Sequence, residues 1–153
     1  MLIRRASPSD SHAIAEIFKE AFGPFQSGYT PAAYANTVVG KEVIQQRMQE
    51  GFSWVAVEND FTLGTVSATP TWDGLYVTGM AVSPKAQGKK AGFKLMCSLE
   101  ELATQRSDKR LYLYTTPFLD RAINLYEKFG FRRYGKPDEQ WMGTTLIQFE
   151  KFL

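Results

Sequence analysis

The segment spanning residues 82–94 constrains the fold and function of this chain more than any other part of the sequence. It reads VSPKAQGKKAGFK and leads from an apolar segment, which predicts a β-strand, directly into a helical pattern. It holds four lysines and no acidic residue, and no Ser, Thr, Asp or Asn stands where it would cap the first helical amides. Lysines at this end also oppose the helix macrodipole. A bound anion would explain both features, because small residues expose the amides and lysines neutralise its charge. The alternative is a solvated basic turn.

Two other phosphate-binding motifs do not fit this segment. A P-loop would place its first glycine at the position of Ser83, ahead of Lys89. A dinucleotide-binding fold needs three spaced glycines, and Gly88 and Gly92 alone do not supply them. ATP binding through a P-loop and dinucleotide binding are therefore disfavoured.

The rest of the chain predicts alternating strands and helices. Proline follows Ser7, and an acid follows at position 10, so a helix is expected to begin there and to bury Ile14, Ile17 and Phe18. Further helices are predicted over residues 41–50, through Leu95, Leu99 and Leu102 to an end near residue 107, and over 122–129. Strands are predicted over residues 2–5, 53–58, 61–69, 75–82, 111–114, 131–134 and 146–149. This pattern predicts an α/β protein in which helices flank a mixed sheet.

Composition narrows the class of protein. The chain has 153 residues, of which 44% are apolar, and we expect one domain over residues 1–153. One cysteine, Cys97, and one histidine, His12, exclude an intrachain disulfide and a Cys/His zinc site. A net charge of +2 argues against a nucleic-acid partner. No apolar run approaches the ~20 residues that span a bilayer, so we expect no membrane partner and a cytoplasmic location.

Residues 87–92, Gln-Gly-Lys-Lys-Ala-Gly, resemble the acyl-CoA-binding motif of the GNAT superfamily of N-acetyltransferases. Lys90 stands where that motif has its first required glycine. Residues 122–131, AINLYEKFGF, resemble the second motif of the superfamily, and Leu119 stands where many members carry an asparagine. The order of elements is similar over essentially the whole chain. The resemblance implies a mixed, mostly antiparallel sheet of about six to seven strands, and acetyl-CoA as cosubstrate.

The resemblance also implies roles for individual residues. The backbone of Met80, Ala81 and Val82 is expected to pair with the pantetheine arm, with an amide near Met80 polarising the acetyl carbonyl. Tyr126 matches the tyrosine thought to protonate the departing thiolate, although its place on an apolar helical stripe also suits a core residue. The loop is expected to bind the cosubstrate through Gln87, Gly88, Lys89, Lys90, Ala91, Gly92 and Phe93.

A general base cannot be chosen from the sequence. The strand over residues 75–80 has no carboxylate, whereas many relatives carry a glutamate there. Glu58 and Asp73 are candidates through an ordered water, but both also suit surface positions at strand ends. We expect Cys97 to be buried within its helix rather than nucleophilic, and His12 to lie on a solvent-facing side of its helix.

The expected reaction is direct acetyl transfer to a primary amine in a ternary complex, without a covalent enzyme intermediate. The expected acceptor is a small-molecule or peptide amine. Several aromatic residues of this chain fall in the segments that bind the acceptor in the superfamily. They are expected to line an acceptor pocket, to belong to the core or to form a homodimer surface: Phe22, Phe25, Tyr29, Tyr34 and Trp141. The alternative is a CoA-binding sensor or regulatory module without transferase activity.

Overall fold

The computed structural model describes residues 1–86 and 88–153, and seven strands form one sheet in the order β1-β2-β3-β4-β5-β7-β6. Only β4 and β5 run parallel, and every other neighbouring pair is antiparallel. The predicted mixed, mostly antiparallel sheet is therefore confirmed. The strands are β1 (Leu2–Arg5), β2 (Phe52–Glu58), β3 (Phe61–Thr71), β4 (Gly74–Val82), β5 (Arg110–Thr115), β6 (Arg132–Trp141) and β7 (Thr144–Phe152).

Helices cover both faces of the sheet. On one face α1 and α3 pack against β2 to β4 around a cluster that includes Ile14, Phe18 and Ile44. On the other face α4 and α5 cover a larger cluster that includes Leu95 and Phe149. The helices are α1 (Ser11–Phe22), α2 (Pro31–Thr37), α3 (Lys41–Glu50), α4 (Ala91–Gln105) and α5 (Asp120–Lys128). None of the helices in the described residues is both long and apolar enough to cross a bilayer.

Most of the predicted elements are confirmed, and the differences have local causes. The helix over residues 41–50 and the strand over 2–5 have the predicted bounds. The predicted turn between β2 and β3 forms without glycine because Asn59 and Asp60 both adopt positive φ, at 50° and 66°. The sequence did not predict α2, and it predicted only the first part of β6, which extends to Trp141 as an exposed edge strand.

A bulge in β4 changes which side chains face each helix layer. Ser67 of β3 lies opposite Gly79, but the next residue, Ala68, lies opposite Val77, so Thr78 is an extra residue in β4. Before the bulge, Val77 belongs to the cluster under α4 and α5; after it, Met80 packs against that same cluster. The bulge therefore reverses the alternation of β4 part-way along the strand.

Candidate active site

A cleft opens where the two parallel strands at the centre of the sheet separate. β4 and β5 pair only at Leu75 with Leu111 and at Tyr76 with Tyr112. Beyond those pairs both strands continue, and residues 77–80 and 113–116 line opposite walls of a cavity of about 600 Å³. An extended ligand could pair with the free edge of β4 as an added strand.

The N-terminus of α4 adjoins the end of β4. Lys90 is its N-cap and offers no side-chain cap, and the first helical hydrogen bond runs from the Lys94 amide to the Lys90 carbonyl at 3.0 Å. The amides of Ala91, Gly92 and Phe93 thus lack intrahelical acceptors. Within residues 1–86 and 88–153, no side chain accepts a hydrogen bond from them. This helix end can therefore donate to an anionic group.

The loop before α4 has a backbone suited to glycine at two positions. Gly88 has φ of +79°, and Lys90 has φ of 58° and ψ of 29°, which is the left-handed region. Lys90 thus keeps a backbone conformation that favours glycine while carrying a side chain, and that side chain is exposed. Gln87, which we expected to bind the cosubstrate, lies outside the described residues.

The lysines around the loop differ in their partners. Lys89 forms an ion pair with Glu58, and this partner lowers the pKa of the Glu58 carboxyl. Lys85, Lys90 and Lys94 are exposed, and no ion pair is found for them within the described part of the chain. Three cations beside the uncapped N-terminus of α4 can therefore attract a phosphate-bearing ligand.

Gly92 allows α4 to approach the other two elements of the site. A Cβ at this position would lie 2.9 Å from Leu125 Cδ2 and 3.1 Å from Met80 Cε. A side chain here would have to displace the ends of the Leu125 and Met80 side chains. The absence of a side chain at Gly92 therefore allows the N-terminus of α4 to pack close to the cleft.

Tyr126 lies between the core and the cleft. Its side chain is 4% exposed and its ring packs against Phe131 and Phe149, with centroids 5.8 and 6.0 Å away. The same residue lines the cavity between β4 and β5, and burial raises the pKa of its hydroxyl. We find no hydrogen-bond partner for this hydroxyl in the described residues, so the protonated group is free to donate into the cleft.

A second polar group is buried at the same wall. Thr116 is 3% exposed. Its hydroxyl lies near the Tyr29 hydroxyl but not in hydrogen-bond geometry, and it has no hydrogen-bond partner among the described residues. Leu119 lines the cleft three positions later with an apolar side chain. A buried hydroxyl without a hydrogen bond lowers the stability of the folded protein, so Thr116 is suited to form a hydrogen bond with a polar group of a ligand.

The two carboxylates considered as bases lie elsewhere. Glu58 pairs with Lys89, as above, and Asp73 accepts hydrogen bonds from Arg110 at 3.1 Å and from Thr71 at 3.0 Å. Neither lines the cleft. Among the described residues Glu139 of β6 is the one acid that does, and it is half-buried. Sequence reasoning missed it because its position depends on a register shift in β6 between Tyr134 and Glu139.

The aromatic residues expected at the acceptor end divide into two groups. Phe22, Tyr29 and Trp141 line the cleft. Tyr34 instead packs on Tyr29 at a centroid distance of 5.8 Å, and Phe25 stacks on Phe118 at 6.1 Å. One cation also lines this end, Arg47 of α3, which the sequence analysis did not single out.

The remaining thiol and imidazole lie outside the cleft. The expected burial of Cys97 is wrong: it is exposed, because Leu95, Met96 and Leu99 occupy the inner face of α4. His12 is exposed on α1, as expected. No three His, Cys, Asp or Glu side chains in the described residues come together in a metal-binding arrangement.

Comparison with known proteins identifies the family. Residues 11–131 match the family model described as "Acetyltransferase (GNAT) family". This chain belongs to the GNAT family. The GNAT chain is 31% identical over 139 residues to the uncharacterized N-acetyltransferase YjgM of Escherichia coli K12, covering 85% of this chain and 81% of that protein.

Two further proteins are similar to this chain, one in sequence and one in fold. The GNAT chain is 26% identical over 130 residues to the spore coat polysaccharide biosynthesis protein SpsD of Bacillus subtilis, covering 81% of this chain but only 44% of SpsD. It therefore spans less than half of that relative. In fold it is similar to the PaiA N-acetyltransferase of Thermoplasma acidophilum, solved in complex with coenzyme A, with a TM-score of 0.84, 17% identity, and coverage of 99% of this chain and 98% of that one.

Proposed function

We propose that this protein transfers an acetyl group from acetyl-CoA directly to a primary amine in a ternary complex. One observation carries the proposal: the cleft between β4 and β5 adjoins a helix N-terminus whose first amides have no intrahelical acceptor and no side-chain cap within residues 1–86 and 88–153. Membership of the GNAT family and the coenzyme A bound to the PaiA enzyme support the choice of cosubstrate. The cosubstrate supplies the acetyl group and a thiolate leaving group.

The residues of the α4 loop would hold the phosphates. The amides of Ala91, Gly92 and Phe93 have no intrahelical acceptor, and a diphosphate satisfies such donors while the helix dipole favours its charge. Exposed lysines beside them add attraction that salt screens. We assign this role to Gly88, Lys89, Lys90, Ala91, Gly92 and Phe93.

The free edge of β4 would hold the pantetheine arm. Met80, Ala81 and Val82 follow the bulge and lie beyond the last β4–β5 pair, so backbone groups on that edge lack a strand partner. The unsatisfied hydroxyl of Thr116 on the opposite wall offers the arm a polar contact in place of the family asparagine. An amide near Met80 donates to the carbonyl oxygen as negative charge develops there, worth roughly 3 kcal/mol.

Two side chains would move the protons. Tyr126 donates its proton to the departing thiolate, and burial raises the pKa of its hydroxyl, which keeps the group protonated beforehand. Glu139 accepts the proton of the incoming ammonium, directly or through a water, because it is the acid that lines the cleft among the described residues. No covalent enzyme intermediate is needed.

Thermal unfolding and thiol release test this proposal together. Acetyl-CoA should stabilise the protein by about 2.7 kcal/mol at one hundred times its dissociation constant. Free thiol should then appear when primary amines are added. No stabilisation at millimolar acetyl-CoA would refute cosubstrate binding, and stabilisation without thiol release over a broad amine pool would favour the non-catalytic module.

A further inference from the structure

Arg47 is a cation that lines the cleft, and the residues that the structure describes give it no anionic partner. It lies on α3, is half-buried, and its Nη1 atom is 3.0 Å from the point that a Cβ on Gly79 would occupy. Within residues 1–86 and 88–153 it makes no ion pair and no side-chain hydrogen bond. Burial lowers the pKa of its guanidinium, which nevertheless stays charged at neutral pH. Partial burial of a charge that lacks an ion-pair partner is unfavourable, so the presence of Arg47 needs an explanation.

Another arginine of the same chain shows how a structural guanidinium is satisfied. Arg110, which is also poorly exposed, donates to Glu150 at 2.9 Å and to Asp73 at 3.1 Å. Nothing comparable is found for Arg47, and Glu139, the one acid lining the cleft in the described residues, forms no ion pair with it. Arg47 is therefore not explained as part of an internal ion-pair network.

The position of Arg47 in the cleft is close to where the proposed function locates the reacting groups. Phe18 and Tyr76 line the cavity beside it, and Gly79 under its guanidinium is adjacent in sequence to Met80. Met80 is where the proposed function locates the acetyl carbonyl. An anion bound by Arg47 would consequently lie only a few bonds from the reactive amine, with aromatic rings around it.

We propose that Arg47 binds a carboxylate of the acceptor, so that the acceptor is a small amino-acid-like amine with an apolar or aromatic body. This inference rests on the proposed function. A single guanidinium matches a carboxylate through two parallel hydrogen bonds, whereas a phosphate dianion calls for further cations, and Arg47 is the one cation lining the cleft in the described residues. A polyamine would place positive charge against Arg47 and is disfavoured.

Matched amine pairs test the assignment. L-phenylalanine, L-tyrosine and L-leucine are compared with phenethylamine, tyramine and isoamylamine, which differ only in lacking the carboxylate, and with the corresponding methyl esters. We expect kcat/KM to be at least about 30-fold higher for the acids, as charge-assisted hydrogen bonds in a buried site allow. Arg47→Gln should remove this preference, whereas Arg106→Gln, which changes an exposed arginine outside the cleft, should keep it.

Two results overturn the proposal: equal or better turnover of the amines that lack a carboxylate, or a preference for the acids that survives in Arg47→Gln. Folding is checked in the same preparations, and because Arg47 has no ion pair to lose among the described residues, its variant should melt at about the same temperature as the wild type or higher.

A binding measurement separates this inference from the proposed function. If no amine releases thiol, acetyl transfer is refuted, and the subsite is judged on the CoA-loaded protein alone. Stabilisation by N-acetyl-phenylalanine, absent with N-acetyl-phenethylamine and lost in Arg47→Gln, would support the carboxylate subsite. Equal stabilisation by both compounds, or by neither, would overturn it.

Discussion

Replacing Lys90 by glycine should stabilise the ligand-free protein while weakening its cosubstrate binding. Lys90 has φ of 58°, and an L-residue in the left-handed region costs about 1–2 kcal/mol. Glycine removes that cost but gives up about 0.5–1 kcal/mol of conformational entropy on folding. The expected net gain in the free energy of unfolding is about 0.5–1 kcal/mol, measured by urea denaturation without ligand.

The same substitution removes one ammonium group from the helix end. That charge is exposed, so its attraction for the phosphates is worth about 1 kcal/mol at low ionic strength and is screened by salt. Isothermal titration with CoA should show several-fold weaker binding at low salt and a smaller difference at high salt. Lys90→Gln is the matched control, because it loses the charge but keeps the Cβ, and it should lose affinity without gaining stability.

Either measurement can refute this reasoning. Tighter CoA binding by Lys90→Gly at both salt concentrations would mean that the side chain obstructs the loop rather than attracting phosphate. Equal stability of Lys90→Gly and Lys90→Gln would mean that the left-handed backbone carries no cost here.

Three further predictions concern catalysis and stability. Tyr126→Phe keeps the packing volume and should lower turnover roughly 10²-fold with unchanged CoA affinity, whereas Tyr112→Phe, outside the cleft, should leave steady-state kinetics unchanged. Glu139→Gln should lower kcat/KM at neutral pH by about 10²-fold, with the loss shrinking in a pH profile as more amine is deprotonated; a constant loss would contradict its role as base. Arg4 binds Asp10 at 2.8 and 2.9 Å and holds the pKa of that carboxyl below its usual value. Wild-type stability should therefore fall as pH drops below about 4, while Asp10→Asn should be about 1 kcal/mol less stable at pH 7 in urea denaturation and should show a smaller fall.

Local signals predicted much of the fold because they act within a few residues. The turn at Asn59 and Asp60 needs two residues that tolerate positive φ, and the chain supplies them. The missed helix α2 also had a local signal, since Thr30 before Pro31 is an N-cap followed by proline. The Thr30 hydroxyl indeed accepts from the Ala33 amide at 3.2 Å.

Long-range placement could not be predicted in this way. The extent of β6 was hidden because Lys136 and Pro137 suit an edge strand as well as a loop. Glu139 reaches the cleft through a register shift, and Arg47 through the packing of α3 on the sheet. Neither dependence leaves a pattern in the neighbouring sequence, so the motifs predicted residues for the cosubstrate end but neither Glu139 nor Arg47 for the acceptor end.

The bulge at Thr78 links the two ends of the cleft. Without the extra residue, Met80 would face α1 and α3, and Gly79 would face α4. With it, Met80 reaches Gly92 at the N-terminus of α4, while Gly79 leaves room for the Arg47 guanidinium on the opposite face. Both contacts depend on the same bulge. The strand β4, which adjoins the loop before α4, therefore also sets the distance between the reacting carbonyl and the proposed carboxylate subsite.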